Sequence, residues 1–480
     1  MRYPFFIIIF ILFGGCGVGT TTTSSSSETN TSQTVEVVED TNVSDETNSS
    51  TSVPTNFGGL YNEQWYMEKD TEFYDLHGIN IEANIHPTST TYQTYTGKGI
   101  KVAIIDDGFD INHPEIKDNI IATIGVSLSG VVSSNVAHTN SSDFHGTAVA
   151  GIIASKDNTT GIRGLAPDSS LILIKMPTQL SDSTIIKMFD EAINAGADVI
   201  SCSWGTGTVS QTLRDYINGI ARTARDGKGV TIVFASGNDD IEIGDDESGI
   251  ENIIGVGATD GDNLRTSYSN YGALLDIVAP GGNIHSIATI DPLGSNGVTS
   301  DEYNRYNQIQ NSQAVGFIGT SASAPIVTGA IALLLEKDPN LTAEQIQEKL
   351  KTATDAIGQN TPYIYDMVSS NSQHPTISGI YGTSKLSTFR VKLTLKSSNT
   401  TYGPYSIVDG TNNSWDSTVT NMLPNGNYKI ELIDNGGITI WATDDNFTID
   451  TTLSSPTINT SIKKSNYYGY GKINLSKLLQ

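Results

Sequence analysis

A chain of 480 residues is too long to bury its apolar surface around one core, so at least two folded units are expected. Its 27 basic residues stand against 52 acidic residues, a net charge of -25, and such a surface repels phosphate backbones and anionic lipid headgroups. Nucleic acid is therefore not an expected partner.

Residues 1–16 have the pattern of an export signal. Arg2 precedes an apolar run, residues 5–13, that is too short to span a bilayer, and Cys16 follows directly after two glycines. Residues 12–16 resemble a bacterial lipobox, which implies that Cys16 is lipidated and becomes the new N-terminus. We therefore expect an exported protein, lipid-anchored to the bacterial cell envelope or surface. A plain cleaved signal with an incidental cysteine, and hence a fully secreted protein, is the alternative.

Residues 17–56 consist mainly of Thr, Ser, Asn and acids and contain no Lys or Arg. Such a segment buries too little apolar surface to fold. It predicts a disordered tether between the anchor and the folded chain.

Residues 57–375 alternate short apolar runs with helical patterns. The run at 101–106 ends in Asp106, as expected of a buried strand that leads into a site. Small-residue helices begin at His145 and near Ser321, the second with Pro325 in its first turn. Further strands are predicted at 171–174, 199–202 and 230–235, and a helix at 185–195. This alternation predicts an α/β fold with a parallel, doubly wound sheet, whose site lies at the carboxyl ends of the strands.

Asp106, His145 and Ser321 are the residue types of a nucleophilic triad. A serine hydroxyl needs a base to take its proton, and the base needs an acid that orients it and stabilises its charged form. Taken alone, Ser321 would be interpreted as an ordinary helix N-cap.

Three segments resemble the signature segments of the subtilisin-like serine peptidases, the subtilases: IIDDG at 104–108, DFHGTAVAGIIA at 143–154 and GTSASAP at 319–325. Their Asp, His, Ser order is that of subtilisin. Asp107, in place of the commoner Ser or Thr, resembles the kexin-like and related bacterial branches. The resemblance implies a subtilisin-like sheet and a serine endopeptidase that acts on proteins or peptides, with Asp106, His145 and Ser321 as its catalytic residues.

The same resemblance assigns roles to residues around the triad. It implies that the Asn238 amide donates to the oxyanion, and that Ser203, Trp204 and Gly205 form the strand that pairs with a substrate backbone. An ordinary turn residue is the alternative for Asn238.

Two other classes of function were weighed. A surface adhesin built on an inactive peptidase fold would be expected to lack one catalytic residue, and none is missing. An esterase of the α/β-hydrolase type would need a Gly-x-Ser-x-Gly elbow and a Ser, acid, His order, and the sequence has neither. Cys202 has no nucleophile motif around it, so we predict a buried core residue.

Residues 156–162, KDNTTGI, resemble the calcium loop of the family. Calcium is therefore the expected cofactor, bound by oxygen ligands that suit a hard cation. The ligands implied are the carbonyls of Lys156, Thr160 and Ile162, the side chain of Asn158 and the carboxylate of Glu115. A solvated turn is the alternative.

Six acidic residues lie in the nine positions after Asn238, where the family begins the floor of its first specificity pocket: Asp239, Asp240, Glu242, Asp245, Asp246 and Glu247. Like charges at this density cost stability unless a cation shares the space. The pattern predicts a preference for Arg or Lys before the scissile bond, with Asp239 as the partner. A bound metal and a solvated acidic loop are the alternatives.

The C-terminal third contains an insertion. Thr342 and Gln345 form a capping box that predicts a helix, and YGYGKINL at 468–475 resembles the usual end of the family domain. Between them, residues 376–462 show period-two runs separated by turn signals, which predict an inserted antiparallel β-sandwich for docking or stability. Residues 463–480 would then close the peptidase domain. The oligomeric state is left open.

Overall fold

Two β sheets organise the part of the chain that the structure describes. The computed structural model describes residues 63–67, 71–88, 91, 94–139, 143–158, 161–294, 297, 303–304, 309–310, 313–314, 316–385 and 388–480. The predictions for Cys16, for the tether at 17–56 and for Thr160 lie outside these residues. None of the helices in the described ranges is long and apolar enough to cross a membrane.

The first part of the described chain contains thirteen strands: β1 Lys101–Asp106, β2 Ile120–Val126, β3 Val132–Ser133, β4 Ser170–Lys175, β5 Val199–Cys202, β6 Thr231–Ala235, β7 Ile254–Thr259, β8 Ile277–Pro280, β9 Thr289–Ile290, β10 Tyr303–Asn304, β11 Ile309–Gln310, β12 Gln313–Ala314 and β13 Thr354–Asp355. The described α-helices are α1 Thr71–His77, α2 His145–Ala154, α3 Asp182–Asn194, α4 Gln211–Thr223, α5 Thr320–Lys337, α6 Ala343–Thr352 and α7 Leu475–Leu478.

The remaining strands are β14 Pro362–Ser370, β15 Thr376–Tyr381, β16 Phe389–Leu395, β17 Thr400–Ser406, β18 Val408–Asp409, β19 Ser414–Thr418, β20 Gly426–Asp434, β21 Ile440–Ile449, β22 Thr457–Lys464 and β23 Lys472–Ile473.

The large sheet has ten strands in the order β13-β23-β8-β7-β6-β5-β1-β4-β2-β3. The seven neighbouring pairs from β23 to β2 are parallel, and only the two outermost pairs are antiparallel. A parallel sheet needs crossover connections that cover its faces, which is why helices alternate with these strands.

Helices cover both faces of this sheet. Along β1, Val102 and Ile104 pack in the core that contains α2 and α5, whereas Ala103 and Ile105 pack in the core that contains α3 and α4. Successive strand residues point to opposite faces, so an apolar run without alternation is what a strand buried on both sides requires. The predicted doubly wound parallel sheet is confirmed.

Most predicted elements of this sheet match the structure. β1 and α2 have the predicted bounds, and the Thr342–Gln345 capping box opens α6. The placement of Pro325 was wrong. Because α5 begins at Thr320, Pro325 lies in its second turn and has no N–H to donate to the carbonyl of Ser321. That carbonyl accepts a hydrogen bond from the Ser203 hydroxyl instead, at 3.1 Å.

The second sheet contains nine strands, β14 to β22, and is almost entirely antiparallel, with one parallel pair, β14 and β21. The antiparallel β domain predicted from the period-two runs is present. Its strands form one continuous, nearly closed sheet around a single apolar cluster, whereas a sandwich has two separate sheets. The strand β14 begins at Pro362, before the predicted start of the insert at 376.

The C-terminal segment returns to the large sheet. Its strand β23 lies between β8 and β13, parallel to the first and antiparallel to the second. The second sheet is therefore flanked in sequence by two strands of the first.

Candidate active site

Asp106 and His145 meet at the carboxyl end of β1. Asp106 is the last residue of this strand and is 1% exposed, and His145 is the first residue of α2. The His145 Nδ1 and the Asp106 Oδ1 are 2.8 Å apart, so the acid fixes which ring nitrogen faces it. The Phe317 ring packs edge-on against the imidazole at 5.3 Å between centroids. The other ring nitrogen, Nε2, remains available to a substrate or a nucleophile.

Asp107 takes part in the same arrangement, which the sequence did not indicate. Its carboxylate accepts a 2.9 Å hydrogen bond from the N–H of Gly146 and a longer one, 3.4 Å, from that of His145. A carboxylate at a helix N-terminus satisfies N–H groups that have no intrahelical acceptor. The only feature of the sequence that could have suggested this role is the pair of adjacent acids at 106 and 107, which places a second carboxylate beside the first.

Electrostatics at this carboxylate pair favour a charged histidine. Burial, together with the neighbouring charge of Asp106, raises the pKa of Asp107 from 3.8 to about 7. Burial also opposes the imidazolium form of His145, but the charge and hydrogen bond of Asp106 and the charge of Asp107 outweigh it and raise its pKa from 6.5 to about 9. The two carboxylates therefore favour the imidazolium form of His145.

Ser321 is the second residue of α5, at the same edge of the large sheet. Its hydroxyl donates to the carbonyl of Ser203 at 3.1 Å, and the Ser203 hydroxyl donates back to the Ser321 carbonyl. The Ser321 hydroxyl is thus engaged with Ser203, and rotation about χ1 would release it from this contact. Catalytic hydrogen bonds of this kind often form only when substrate binds.

Asn238 lies directly beside the start of α5. Its Oδ1 accepts from both the N–H and the hydroxyl of Thr320, each at 2.9 Å, so its Nδ2 is the group left to donate. A Cβ on Gly319 would lie 3.3 Å from this Nδ2, and the φ of Gly319 is +125°, so glycine is required there. Thr320 is a positioning residue that sequence reasoning missed, although it lies within the Gly-Thr-Ser motif.

The predicted substrate strand, residues 203–205, continues β5 beyond its last residue, Cys202. Trp204 is buried, donates from Nε1 to the carbonyl of Ile105 at 2.9 Å, and packs edge-on against Phe234. Gly205 is exposed. Trp204 therefore anchors this segment to the sheet, while the backbone near Gly205 faces solvent. Cys202 is a buried free cysteine, as predicted.

Glu115 and Asn158, two of the predicted calcium ligands, are in contact. Glu115 is 2% exposed, and its Oε2 accepts from the Asn158 Nδ2 at 2.8 Å. The Asn158 Oδ1 accepts from the N–H of Gly161 at 2.9 Å. The two side chains are therefore neighbours, with the Asn158 amide nitrogen facing the Glu115 carboxylate and the amide oxygen bonded to Gly161.

The other predicted ligands are less fully placed. Ile162 is buried. The backbone N–H of Lys156 donates to the Glu115 carbonyl at 3.0 Å, and the Lys156 ammonium pairs with Asp118. Within the described ranges, no cluster of three or more His, Cys, Asp or Glu side chains is placed to hold a metal. The predicted set has one acid and four other oxygen donors, so it is not a cluster of that kind.

Several acids of the loop that follows Asn238 are already paired with other groups of the protein. Asp240 pairs with Arg265 at 2.9 Å and Asp245 with Arg214 at 3.6 Å. The carboxylate of Asp246 caps the short 3₁₀ helix Glu247–Gly249, and Glu247 is buried and accepts from Thr206. Asp239 is exposed, and its side chain has no ion-pair partner among the described residues. Glu242 is exposed as well.

The large parallel sheet and the residues at the carboxyl ends of its strands define a class of protein. It is an α/β protein in which an Asp–His pair and a serine lie at the same edge of the sheet. The Peptidase S8 profile of the subtilase family matches residues 97–384, which is more than half of the chain. The chain belongs to the subtilase family, and these residues form its subtilisin-like serine peptidase domain.

The chain is similar to three proteins in particular. It is 30% identical over 321 residues to a calcium-dependent protease of Nostoc sp.. The aligned residues cover 62% of this chain and 47% of that protease. It is 31% identical over 278 residues to subtilisin DY of Bacillus licheniformis, 56% of this chain and 89% of the relative. A serine protease of Aeromonas sobria shares the fold over 86% of this chain and 96% of its own, with a TM-score of 0.54 and 17% identity. The match spans about half the length of the calcium-dependent proteases.

The raised pKa of His145 predicts an alkaline activity profile. A base must be neutral, so kcat/KM should rise with pH through about 9. Asp107→Asn keeps an acceptor for Gly146 but removes a charge that favours the imidazolium. We expect the rising limb of the pH profile to move to lower pH by up to about one unit.

The control is Asp226→Asn, which removes an equivalent charge from an exposed turn. Its pH profile should match that of the unaltered protein. An Asp107→Asn profile that coincides with the control would mean that Asp107 does not influence His145.

Proposed function

We propose that the protein is a serine endopeptidase that hydrolyses peptide bonds through Asp106, His145 and Ser321. The observation that carries the proposal is the 2.8 Å contact between a buried Asp106 and His145 at the strand edge where α5 presents Ser321. Membership of the subtilase family supports the same chemistry.

The steps follow from the roles of these groups. Substrate binding turns the Ser321 hydroxyl from the Ser203 carbonyl toward His145, which takes its proton as the hydroxyl attacks the scissile carbonyl. Asp106 stabilises the imidazolium that forms. His145 then returns the proton to the leaving amine, and water releases the acyl group by the same route.

The oxyanion is stabilised by two donors near the start of α5. The Asn238 Nδ2 is free to donate because Oδ1 is occupied by Thr320. The Ser321 N–H belongs to the first turn of the helix, whose N–H groups have no intrahelical acceptor. The positive end of the helix dipole adds to both where negative charge develops.

Removing any member of the triad should abolish peptide hydrolysis. We expect Ser321→Ala, His145→Ala and Asp106→Ala to fold, as judged by circular dichroism, and to lose measurable kcat. By analogy with the loss measured for one oxyanion donor in subtilisin, Asn238→Ala should reduce kcat by about 100- to 1000-fold.

A fluorophosphonate probe tests the nucleophile directly. The unaltered protein should be labelled once and Ser321→Ala should not be labelled. Full activity of any triad variant would overturn the assignment, and an unlabelled, inactive wild-type protein would favour the adhesin.

We further propose that calcium binds at the loop after α2 and stabilises the fold. Glu115, the Asn158 side chain and the carbonyls of Lys156, Thr160 and Ile162 would hold it, and its role would be structural. The proximity of the buried Glu115 carboxylate to the Asn158 side chain supports this, as does the similarity to relatives named calcium-dependent proteases, and the Asn158 amide would turn its oxygen toward the ion.

Chelation should therefore lower the melting temperature. We expect EGTA to lower Tm in the Ser321→Ala background and added calcium to restore it, because a ligand that binds only the folded state stabilises it. Glu115→Gln should abolish the difference between the two conditions, and Glu251→Gln, an exposed acid, should preserve it. An EGTA-independent Tm in the parent protein would argue for a solvated turn.

We also propose a preference for Arg or Lys before the scissile bond, with Asp239 as the partner of the substrate cation. Asp239 follows the oxyanion residue directly, is exposed, and has no ion-pair partner within the described ranges. A carboxylate in this position is free to pair with a substrate side chain that enters the site.

Peptide libraries test this preference. The ratio of kcat/KM for Arg over Leu before the scissile bond should exceed one and should fall on the order of tenfold in Asp239→Asn. Asp245→Asn, which removes an acid already paired with Arg214, is the matched control and should leave the ratio unchanged. Equal cleavage after Leu and Arg would show that the loop is ordinary acidic surface.

Finally, we propose that the protein is exported and held at the cell envelope through a lipid on Cys16, with kinship to the kexin-like and related bacterial branches. The support is the order of a basic residue, an apolar run and a Gly-Gly-Cys sequence, together with the Asp106–Asp107 doublet. Protein and peptide substrates would then be encountered outside the cell.

A further inference from the structure

A cavity of about 390 Å³ lies away from the candidate active site, where four segments of the chain meet. Its charged lining comes from the N-terminal segment, from β13, from the last strand of the second sheet and from the C-terminal segment. These residues are Glu82, His86, Asp355, Lys463, Lys472 and Lys477. Three lysines face two carboxylates here, and burial together with the charge of Lys472 lowers the pKa of His86, so the cavity has a small excess of positive charge on a chain with a net charge of -25.

Two of these lysines are not matched by carboxylates. Lys472 is completely buried and its ammonium donates to the carbonyl of Glu82, and no carboxylate of the described residues lies within 4.0 Å of it. The Lys463 ammonium donates a long hydrogen bond, 3.5 Å, to the carbonyl of Thr354. A buried ammonium without a counter-charge is costly, because burial removes its hydration.

The two carboxylates of the cavity are already shared. Asp355 pairs with Lys477 at 2.6 Å and lies 3.6 Å from His86. Glu82 lies 3.4 Å from the same His86, and its side chain is 64% exposed, so solvent screens its charge. Neither acid compensates Lys463 or Lys472 at ion-pair distance.

Burial is the main influence on the pKa of both lysines. Burial and the charge of Lys477 lower the pKa of Lys463 from 10.5 to about 8. Burial lowers the pKa of Lys472 to about 7, even though the charges of Asp355 and Glu82 act in the other direction. A negative ligand in the cavity would favour the charged form of both.

We propose that this cavity binds a small, doubly charged oxyanion of the sulfate or phosphate type. Ammonium groups are compact point charges with three donors each, which suits an oxyanion with acceptors on every side. Bound there, the anion would join Lys463 of the second sheet to Lys477 of the segment that completes the first, and its charge would favour the ammonium form of the buried Lys472 nearby. The ligand would therefore stabilise the contact between the two sheets.

Isothermal titration of sulfate into the full chain tests the site. We would use Ser321→Ala to prevent self-digestion, at pH 6 so that both lysines are protonated, with sodium chloride holding the ionic strength constant. We expect saturable binding of one sulfate per chain. Inorganic phosphate is mainly singly charged at this pH, so as a second probe it should compete for the same site with lower affinity than sulfate.

Lys463→Gln should weaken sulfate binding on the order of tenfold, because it removes a charged donor that has no carboxylate partner of its own. Lys385→Gln is the matched control, since Lys385 is a half-exposed lysine near the same sheet and lies 3.9 Å from Asp409. Asp355→Asn should change affinity in the opposite direction, since it frees Lys477 and keeps an acceptor for Asn474.

The outcomes are separable even if one variant fails to fold. Weaker binding in Lys463→Gln, or tighter binding in Asp355→Asn, supports the site. The absence of saturable binding of either anion to the parent protein overturns it. Equal affinity in the parent, the Lys463→Gln variant and the Asp355→Asn variant also overturns it, because sulfate would then bind elsewhere.

Discussion

The buried carboxylate of Asp106 is the constraint on which the catalytic edge depends. A charge with 1% exposure needs hydrogen-bond donors, and Oδ1 receives two at 2.8 Å, from His145 Nδ1 and from the N–H of Asp107. The start of α2 must therefore lie against the end of β1. Gly146 makes this approach feasible, because a Cβ there would lie 2.5 Å from the carbonyl of Gly108. Removing the His145 ring would leave Oδ1 with a single donor, the N–H of Asp107.

The loop that follows Asn238 contacts residues at the two ends of the second sheet. Arg265 pairs with Asp240 of that loop, and its guanidinium lies over the rings of Tyr271 and Tyr467, 5.0 and 5.5 Å from their centroids. Tyr467 lies three residues beyond the end of β22. Ile243 of the same loop packs in a small apolar cluster with Tyr363 of β14. Tyr363 and Tyr467 lie outside the predicted insert, residues 376–462, so these contacts join the two ends of the second sheet to the loop, and the role of the insert, docking or stability, stays a prediction.

The parallel sheet, the bounds of β1 and α2 and the residues that meet at their ends could be predicted because each depends on a local signal. A continuous apolar run, a change of period and a motif are all read within about a dozen residues of sequence. The second sheet was predicted from such runs, but its continuity depends on how nine strands pair, which no single run reveals. Likewise, the Ser203 hydroxyl replaces the donor that Pro325 lacks, and that contact joins positions 118 residues apart. Long-range contacts of this kind could not be predicted from the sequence.

The acidic loop shows why a run of charges is weak support for a binding site. Six acids in nine positions predict a bound cation. In the fold, however, cations and hydrogen-bond donors of the protein itself pair with most of these acids. Arg265, Arg214, Thr206 and a 3₁₀ helix N-terminus account for four of the six acids. The electrostatic case for a basic substrate therefore narrows mainly to Asp239. An exposed carboxylate in water gains little from a pair, typically less than about 1 kcal/mol, so a strong preference for Arg would require the bound substrate itself to exclude water from Asp239.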